Sequence, residues 1–283
     1  MTELAVGGVP EHFNLPWLKL VESGALTDAG IDVRWKEYPG GSGAMSTALN
    51  EGRLDVAMLL TEGAVAAIAK GADFRIVSLY TETPLLWGIH VRPDSRYRTE
   101  GSLRGSRFAV SRHGSGSHLM AFALARQRDW PVEALEFEIV GGVDGALDAL
   151  ENGRADVFLW EKFMTQPLVD AGRFRRVGEF AAPWPAFVVC VSVGALGRKH
   201  DAVVESLQRA FSAASDLARS PSAAEEISRR YGLRPRDAVE WLGITRWASG
   251  IRPADSAAAK ALATLQDVGV LPPGSAPKTT ATL

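Results

Sequence analysis

Cysteine is almost missing from this chain: the one thiol, Cys190, stands inside the apolar run AFVVCVSV. A lone cysteine excludes an intrachain disulfide and a cysteine zinc site, and its apolar neighbours predict a buried strand position. Long apolar runs are missing as well, since no window approaches the roughly 18 uninterrupted apolar residues of a membrane span. One-sided charge is also lacking, with 31 Lys and Arg against 33 Asp and Glu. That balance leaves no basic footprint for nucleic acid and makes a small molecule the expected partner. The opening residues, MTELAVGGVP, have no basic segment followed by an apolar one, so they do not read as a secretory signal, and ELAVGG already looks like a first strand. The expectation is a cytoplasmic protein as written, or a periplasmic or cell-surface one if a leader has been removed.

What is present is the alternation of an α/β protein. The runs LAVGG, IDVRWKEY, LDVAML, RIVSLY, LLWGIHV, RFAVS, EFEIVG, ADVFLW, FRRVGEF and AFVVCVSV read as strands. Amphipathic stretches between them predict helices over Leu15 to Ser23, Ser42 to Glu51, Glu62 to Lys70, Ser115 to Arg128, Val143 to Asn152 and Lys162 to Asp170. Beyond about Lys199 only helical patterns remain, and the last ten residues, GSAPKTTATL, read as a loose tail.

One stretch occurs twice. GGSGAMSTALNEGRLDVAML begins at Gly40, and GGVDGALDALENGRADVFLW begins at Gly141, with eight identities in the first seventeen positions. In the first copy Ala44, Met45, Ala48 and Leu49 share a helical face; in the second Val143, Ala146, Leu147 and Leu150 do so. Each helix then stops at a glycine, Gly52 or Gly153, suited to the left-handed C-cap, and turns through Arg-x-Asp into an apolar strand. Convergence on a common turn could produce this, but its place in two like successions of strands and helices favours two equivalent lobes.

With these stretches, GGVPEHFNLPW at the start and GSLRGSRFAVSRHGSGSHLMAFALARQ in the middle, the chain resembles the type II periplasmic solute-binding proteins. The likeness is to the branch that includes sulfonate, nitrate, taurine and thiamine-pyrimidine-precursor binders, and it covers roughly residues 3 to 195. It implies two α/β lobes with an interlobe ligand cleft and C-terminal helices: lobe I over 1–90, lobe II over 91–186, and a return to lobe I over 187–283. Crossings are expected near Gly88 to Arg92 and near Pro183 to Ser192. The resemblance also implies hinge closure and, if the protein is exported, an ABC transporter permease as partner. Enzymes built on this fold, the pyrimidine-precursor synthases and the desulfinases, rely on cysteine chemistry that a single Cys190 in a strand does not provide.

In open α/β sheets ligands lie beyond the carboxyl ends of the strands, so the loops there supply the candidate contacts. VPEHFNLPW offers His12, Phe13, Asn14 and Trp17 to stack on and orient a planar ligand, although Phe13 and Trp17 equally suit a core with His12 at the surface. PGGSGAM offers Gly41 and Ser42, with Ser42 expected at a helix N-cap where N–H groups suit an anionic oxygen. RHGSGSH offers Arg112, Ser115, Ser117 and His118, which could also serve only to cap their helix. Further strand ends add Thr61, Glu62, Tyr80, Trp160 and Glu161, and Trp184 stands on the second expected crossing. Glu161 and Lys162 could simply pair with each other.

No Walker spacing, nucleophile elbow or HExxH pattern accompanies these residues, so no catalytic residue, metal or cofactor is assigned. The reading is a solute-binding protein for a small planar or anionic metabolite, without nucleic-acid binding or membrane insertion. The alternatives are a lyase or synthase on the same fold, of the thiamine-pyrimidine or menaquinone type, and a ligand-responsive regulatory module.

Overall fold

The computed structural model of the chain describes residues 1–275, so the expected loose tail lies almost wholly outside the described residues. The strands are β1 (Thr2–Gly8), β2 (Ile31–Glu37), β3 (Val56–Leu60), β4 (Phe74–Leu79), β5 (Pro84–Val91), β6 (Arg107–Val110), β7 (Glu136–Ile139), β8 (Val157–Glu161), β9 (Arg175–Pro185) and β10 (Phe187–Ser192). Helices α1 (Leu15–Glu22), α2 (Ala25–Asp28), α3 (Gly41–Asn50), α4 (Thr61–Ala69), α5 (Gly116–Gln127), α6 (Val143–Glu151) and α7 (Gln166–Asp170) lie among them. The helical remainder is α8 (Val193–Arg198), α9 (His200–Arg219), α10 (Ala223–Tyr231), α11 (Pro235–Ile244) and α12 (Asp255–Asp267). Among the described residues no helix is long and apolar enough to cross a membrane.

The chain forms two compact units. The first contains Met1–Thr83 and Trp184–Leu262; the second contains Pro84–Pro183 and Ala263–Pro273. Each is built on a five-stranded sheet, in the order β2-β1-β3-β10-β4 in the first and β7-β6-β8-β5-β9 in the second. The orders correspond strand for strand. In both, the central strand runs parallel to its neighbour on one side and antiparallel on the other: β3 to β1 and β10, β8 to β6 and β5. Composition follows position. The residues of β10 are all buried, whereas the edge strands carry Asp32, Arg34 and Lys36 in β2 and Glu136 and Glu138 in β7, charges that discourage further strand addition. In the first unit α9 presents Val203, Leu207, Ala210, Phe211, Ala214 and Leu217 as one buried face, and packs on α1.

The duplicated stretch makes the same turn in both units. Gly52 and Gly153 adopt φ of 70° and 68°, and the next N–H groups, of Arg53 and Arg154, return to the carbonyls of Ala48 and Ala149 at 2.8 Å. The repeated aspartate then clasps the neighbouring strand. Asp55 N donates to Ala5 O at 2.8 Å while Ala5 N donates to Asp55 Oδ2 at 2.8 Å. Asp156 N donates to Arg107 O at 2.8 Å while Arg107 N donates to Asp156 Oδ2 at 2.9 Å. A carboxylate at the strand entrance thereby satisfies an N–H that the ladder has not yet reached.

Three expectations are corrected. The units meet in sequence at Thr83/Pro84, ahead of the expected 90, and at Pro183/Trp184, within the expected second crossing, and Ala263–Pro273 groups with the second unit instead of the first. The end of α12 is tied there by a bidentate ion pair from Arg126 of α5 to Asp267, at 2.7 Å for each bond. Gly88 is no crossing: it lies within β5 opposite Trp160, and a side chain there would strike the ring of His90, two residues on and on the same face. Finally, α7 begins at Gln166 rather than Lys162. The Glu161 carboxylate accepts from Met164 N at 2.6 Å and the Thr165 hydroxyl donates back to Glu161 O at 3.1 Å, which holds 162–165 as a turn.

Candidate functional site

In the first unit, the loop after β1 turns inward. His12, Phe13, Asn14 and Trp17 are all buried, so the expected surface histidine and stacking faces are enclosed in the core. The Phe13 carbonyl explains why, because it accepts two buried donors, Tyr80 Oη at 2.9 Å and Trp247 Nε1 at 2.9 Å. The Phe13 ring lies against Phe187 and Trp241, and the His12 ring lies 4.2 Å from Trp241 and 5.7 Å from Tyr231. Burial lowers the His12 pKa to about 3, so the imidazole is neutral in its aromatic surroundings. Asn14 Nδ2 donates to Val9 O at 2.8 Å, and Trp17 stacks on Trp35 at 6.3 Å. Tyr80 is likewise buried, its hydroxyl spent on Phe13.

The next two loops of this unit meet closely. Ser42 stands inside the first turn of α3 instead of capping it, and its Oγ accepts from Leu60 N at 2.9 Å. Gly41, at φ 65°, begins that helix and is partly exposed. A side chain on Gly63 would strike Ser42 Cβ, so the amino ends of α3 and α4 approach as nearly as their backbones allow. Thr61 Oγ1 donates to Pro185 O at 2.6 Å. Glu62 is buried and its Oε2 accepts from Trp184 Nε1 at 2.7 Å; Oε1 has no partner among the described residues. Burial raises the Glu62 pKa to about 7, against the opposing effects of its backbone and Trp184 hydrogen bonds. Half-buried Glu11 is raised to about 7 by the same cause. Nothing in the sequence signalled the bond between Glu62 and Trp184, which are 122 positions apart.

In the second unit the loop between β6 and α5 is held by its own side chains. Ser115 caps α5, its Oγ accepting from His118 N at 3.3 Å and lying 3.1 Å from Ser117 Oγ. Ser117 Oγ also accepts from Ser111 N at 3.1 Å, and His118 Nδ1 accepts from Gly114 N at 3.1 Å. The His118 ring packs on Phe122 and Phe137. These bonds leave Arg112 as the conspicuous group. It is partly buried and has neither an ion-pair nor a side-chain hydrogen-bond partner among the described residues, and loss of water lowers its pKa.

At the end of β8, Trp160 is half-buried, stacks on Phe158 at 5.1 Å and packs against the second unit's core cluster. Glu161 is buried and its carboxylate helps to form the turn before α7. Lys162 reaches Glu179 Oε1 at 3.0 Å. His90, which was not singled out from the sequence, is buried between Phe158 O at 3.2 Å and Thr165 Oγ1 at 2.9 Å, and burial lowers its pKa to about 3.

The structure thus brings Gly41, Ser42, Thr61 and Glu62 together in one unit, and Arg112, Ser115, Ser117 and His118 in the other. His12, Phe13, Trp17 and Tyr80 instead belong to a packed aromatic core.

Comparison with known proteins agrees with this architecture. Residues 87–180 match the family described as Ca3427-like PBP. The Candida albicans CA3427 gene product, described as defining a new family with the generic periplasmic binding protein fold, superposes with TM-score 0.89 at 27% identity, over 96% of this chain and 92% of that one. The alkanesulfonate-binding protein SsuA of Xanthomonas axonopodis pv. citri, bound to MOPS, superposes with TM-score 0.83 at 18% identity, over 100% and 99% of the two chains. The aliphatic sulphonate-binding protein SsuA of Escherichia coli gives TM-score 0.75 at 16% identity, over 100% and 94%. No curated protein matches significantly by sequence.

Proposed function

We propose that this chain, which has the periplasmic-binding-protein fold, is a solute-binding protein for a small anionic metabolite, held by loops at the strand ends and enclosed by closure of one unit on the other. Arg112 carries the reading. A guanidinium that has lost part of its water and gained no carboxylate is costly, and an oxyanion accepting two of its N–H groups offsets that cost. Sulfonate and carboxylate groups both fit this demand, and the sulfonate-binding neighbours support it. The enclosure of Phe13 and Trp17 takes away the stacking faces that argued for a planar ligand, so the negative group is the part retained.

A lyase or synthase would need an acid or base that meets its substrate. His12 and Glu62, two of the residues suited to that work, are sealed in the first unit, which favours binding over catalysis. In this reading an exported protein would deliver its solute to an ABC transporter permease, and a cytoplasmic one would hold or sense it.

Calorimetric titration with methanesulfonate, taurine and acetate tests the proposal, with small-angle scattering of free and ligand-saturated protein to read closure. Binding of at least one of the three is expected, with a smaller radius of gyration and a loss of roughly tenfold or more in Arg112→Ala. Absence of binding by all three, or full affinity in Arg112→Ala, overturns it.

A further inference from the structure

The internal repeat makes it possible to ask which features of one unit lack a counterpart in the other. In the first unit the Asp55 clasp is completed by a cation: Lys199 Nζ lies 2.7 Å from Asp55 Oδ2. The chain reaches that lysine by leaving β10 beside Asp55, where Ser192 N donates to Asp55 O at 2.9 Å, and passing through α8. In the second unit the matching strand, β5, leaves beside Asp156 in the same register, because His90 opposite Phe158 sets Arg92 opposite Asp156 as Val191 opposite Val56 sets Ser192 opposite Asp55. There no helix follows. The segment 93–97 is a loop, clamped by Arg175, whose guanidinium donates to the carbonyls of Pro93, Ser95 and Tyr97. No ammonium returns to Asp156, which has no ion-pair partner among the described residues.

The repeat differs at one more point. Leu54 of the first copy, whose side chain fills the space over Gly7, is replaced by Ala155, which is buried in the core with Ala109. Beside the second clasp lies a cavity of about 270 Å³ lined by Asp156, Arg92, Asp94, Arg96, Tyr97 and Ala155 among others. Its charges are ordered. Arg92 lies 3.2 Å from Asp94, and Arg96 lies over the Tyr97 ring and donates to its hydroxyl at 2.9 Å. Asp156 is therefore a carboxylate whose twin holds an ammonium, and it shares a small cavity with two guanidinium groups, of which Arg96 is near enough to feel its charge.

We infer that this cavity is a second binding site, at the amino ends of β6 and β8, for a small zwitterion of the α-amino-acid class. Its ammonium takes at Asp156 the place that Lys199 holds at Asp55, and its carboxylate meets Arg92 and Arg96. The volume suits a free amino acid. The site stands apart from the carboxyl-end loops proposed for the anionic solute and does not depend on that proposal.

Calorimetric titration with L-alanine, L-glutamine and L-phenylalanine, each paired with its N-acetyl form, tests the inference. At least one free amino acid should bind, and its N-acetyl form, which has no ammonium, should bind at least tenfold more weakly. Asp156→Asn keeps an oxygen for Arg107 N while removing the charge, and should weaken binding about tenfold, or about 1.4 kcal/mol. Arg112→Ala should leave amino-acid binding unchanged. The inference is overturned if none of the three amino acids binds, if N-acetylation is tolerated, if Asp156→Asn binds as the parent does, or if only Arg112→Ala removes binding, which would place the amino acid in the solute site.

Discussion

Glu62 offers the sharpest test of the electrostatics described above. Its pKa rises on folding from 4.5 to about 7 because the carboxyl is buried with one oxygen on Trp184 Nε1 and the other without a partner. A group held above its unfolded value stabilises the protein fully below the unfolded pKa, and that contribution disappears as pH rises through the folded one. At about 1.4 kcal/mol for each tenfold change in proton affinity, the loss between pH 4.5 and pH 8 amounts to roughly 3 kcal/mol. Glu62→Gln keeps an oxygen for Trp184 and removes the titration. It also places an amide NH₂ where Oε1 was, a cost of about 1 to 3 kcal/mol that is the same at every pH. The diagnostic is therefore the slope. Urea unfolding followed by tryptophan fluorescence from pH 4.5 to 8.5 should show the variant gaining on the parent by roughly 3 kcal/mol across the window, whatever its offset at pH 4.5. Parallel stability curves would refute the assignment of a buried, titrating carboxyl at this position.

Other expectations follow from packing and from the clasps. Gly145→Ala would drive a methyl into the Val140 carbonyl, which backbone cannot yield cheaply, and should cost about 2 kcal/mol or more in urea unfolding; the first copy has Ala44 at the matching place, so helix propensity is not the cause. Asp55→Ala strips the partner from both Ala5 N and Lys199 and should cost roughly 2 to 3 kcal/mol, while Asp55→Asn, which retains an acceptor, should cost less. His12 and His90, each lowered to about 3, contribute stability above pH 6.5 that declines as pH falls toward 3, so replacing His90 with Gln should flatten the acid limb of the thermal stability profile. Cys190 is fully buried and burial pushes its thiol far up, so an aromatic disulfide reagent should label it only at the rate of global opening.

The strands and most helices were legible because apolar alternation and glycine punctuation are local properties. The repeat went further: two glycines and two aspartates at matched spacing disclosed two equivalent lobes. What stayed hidden depended on partners remote in sequence. VPEHFNLPW looks like an exposed strand-end loop until Tyr80 and Trp247, from far along the chain, bond to the Phe13 carbonyl and draw the aromatics inward. The isolation of Arg112 was also invisible, since the absence of a partner can be known only once every neighbour has a position.

The strand order also bears on how the chain is assembled as it leaves the ribosome. All five strands of the second sheet come from one uninterrupted stretch, 84–185, whereas the first sheet needs β10 to slot between β3 and β4 before it is whole. β1, β2 and β3 can pair as soon as they are made, but β4 has no neighbour in its sheet until β10 arrives, after all the strands of the second sheet. β10 is thus the strand that joins β4 to the rest of its sheet.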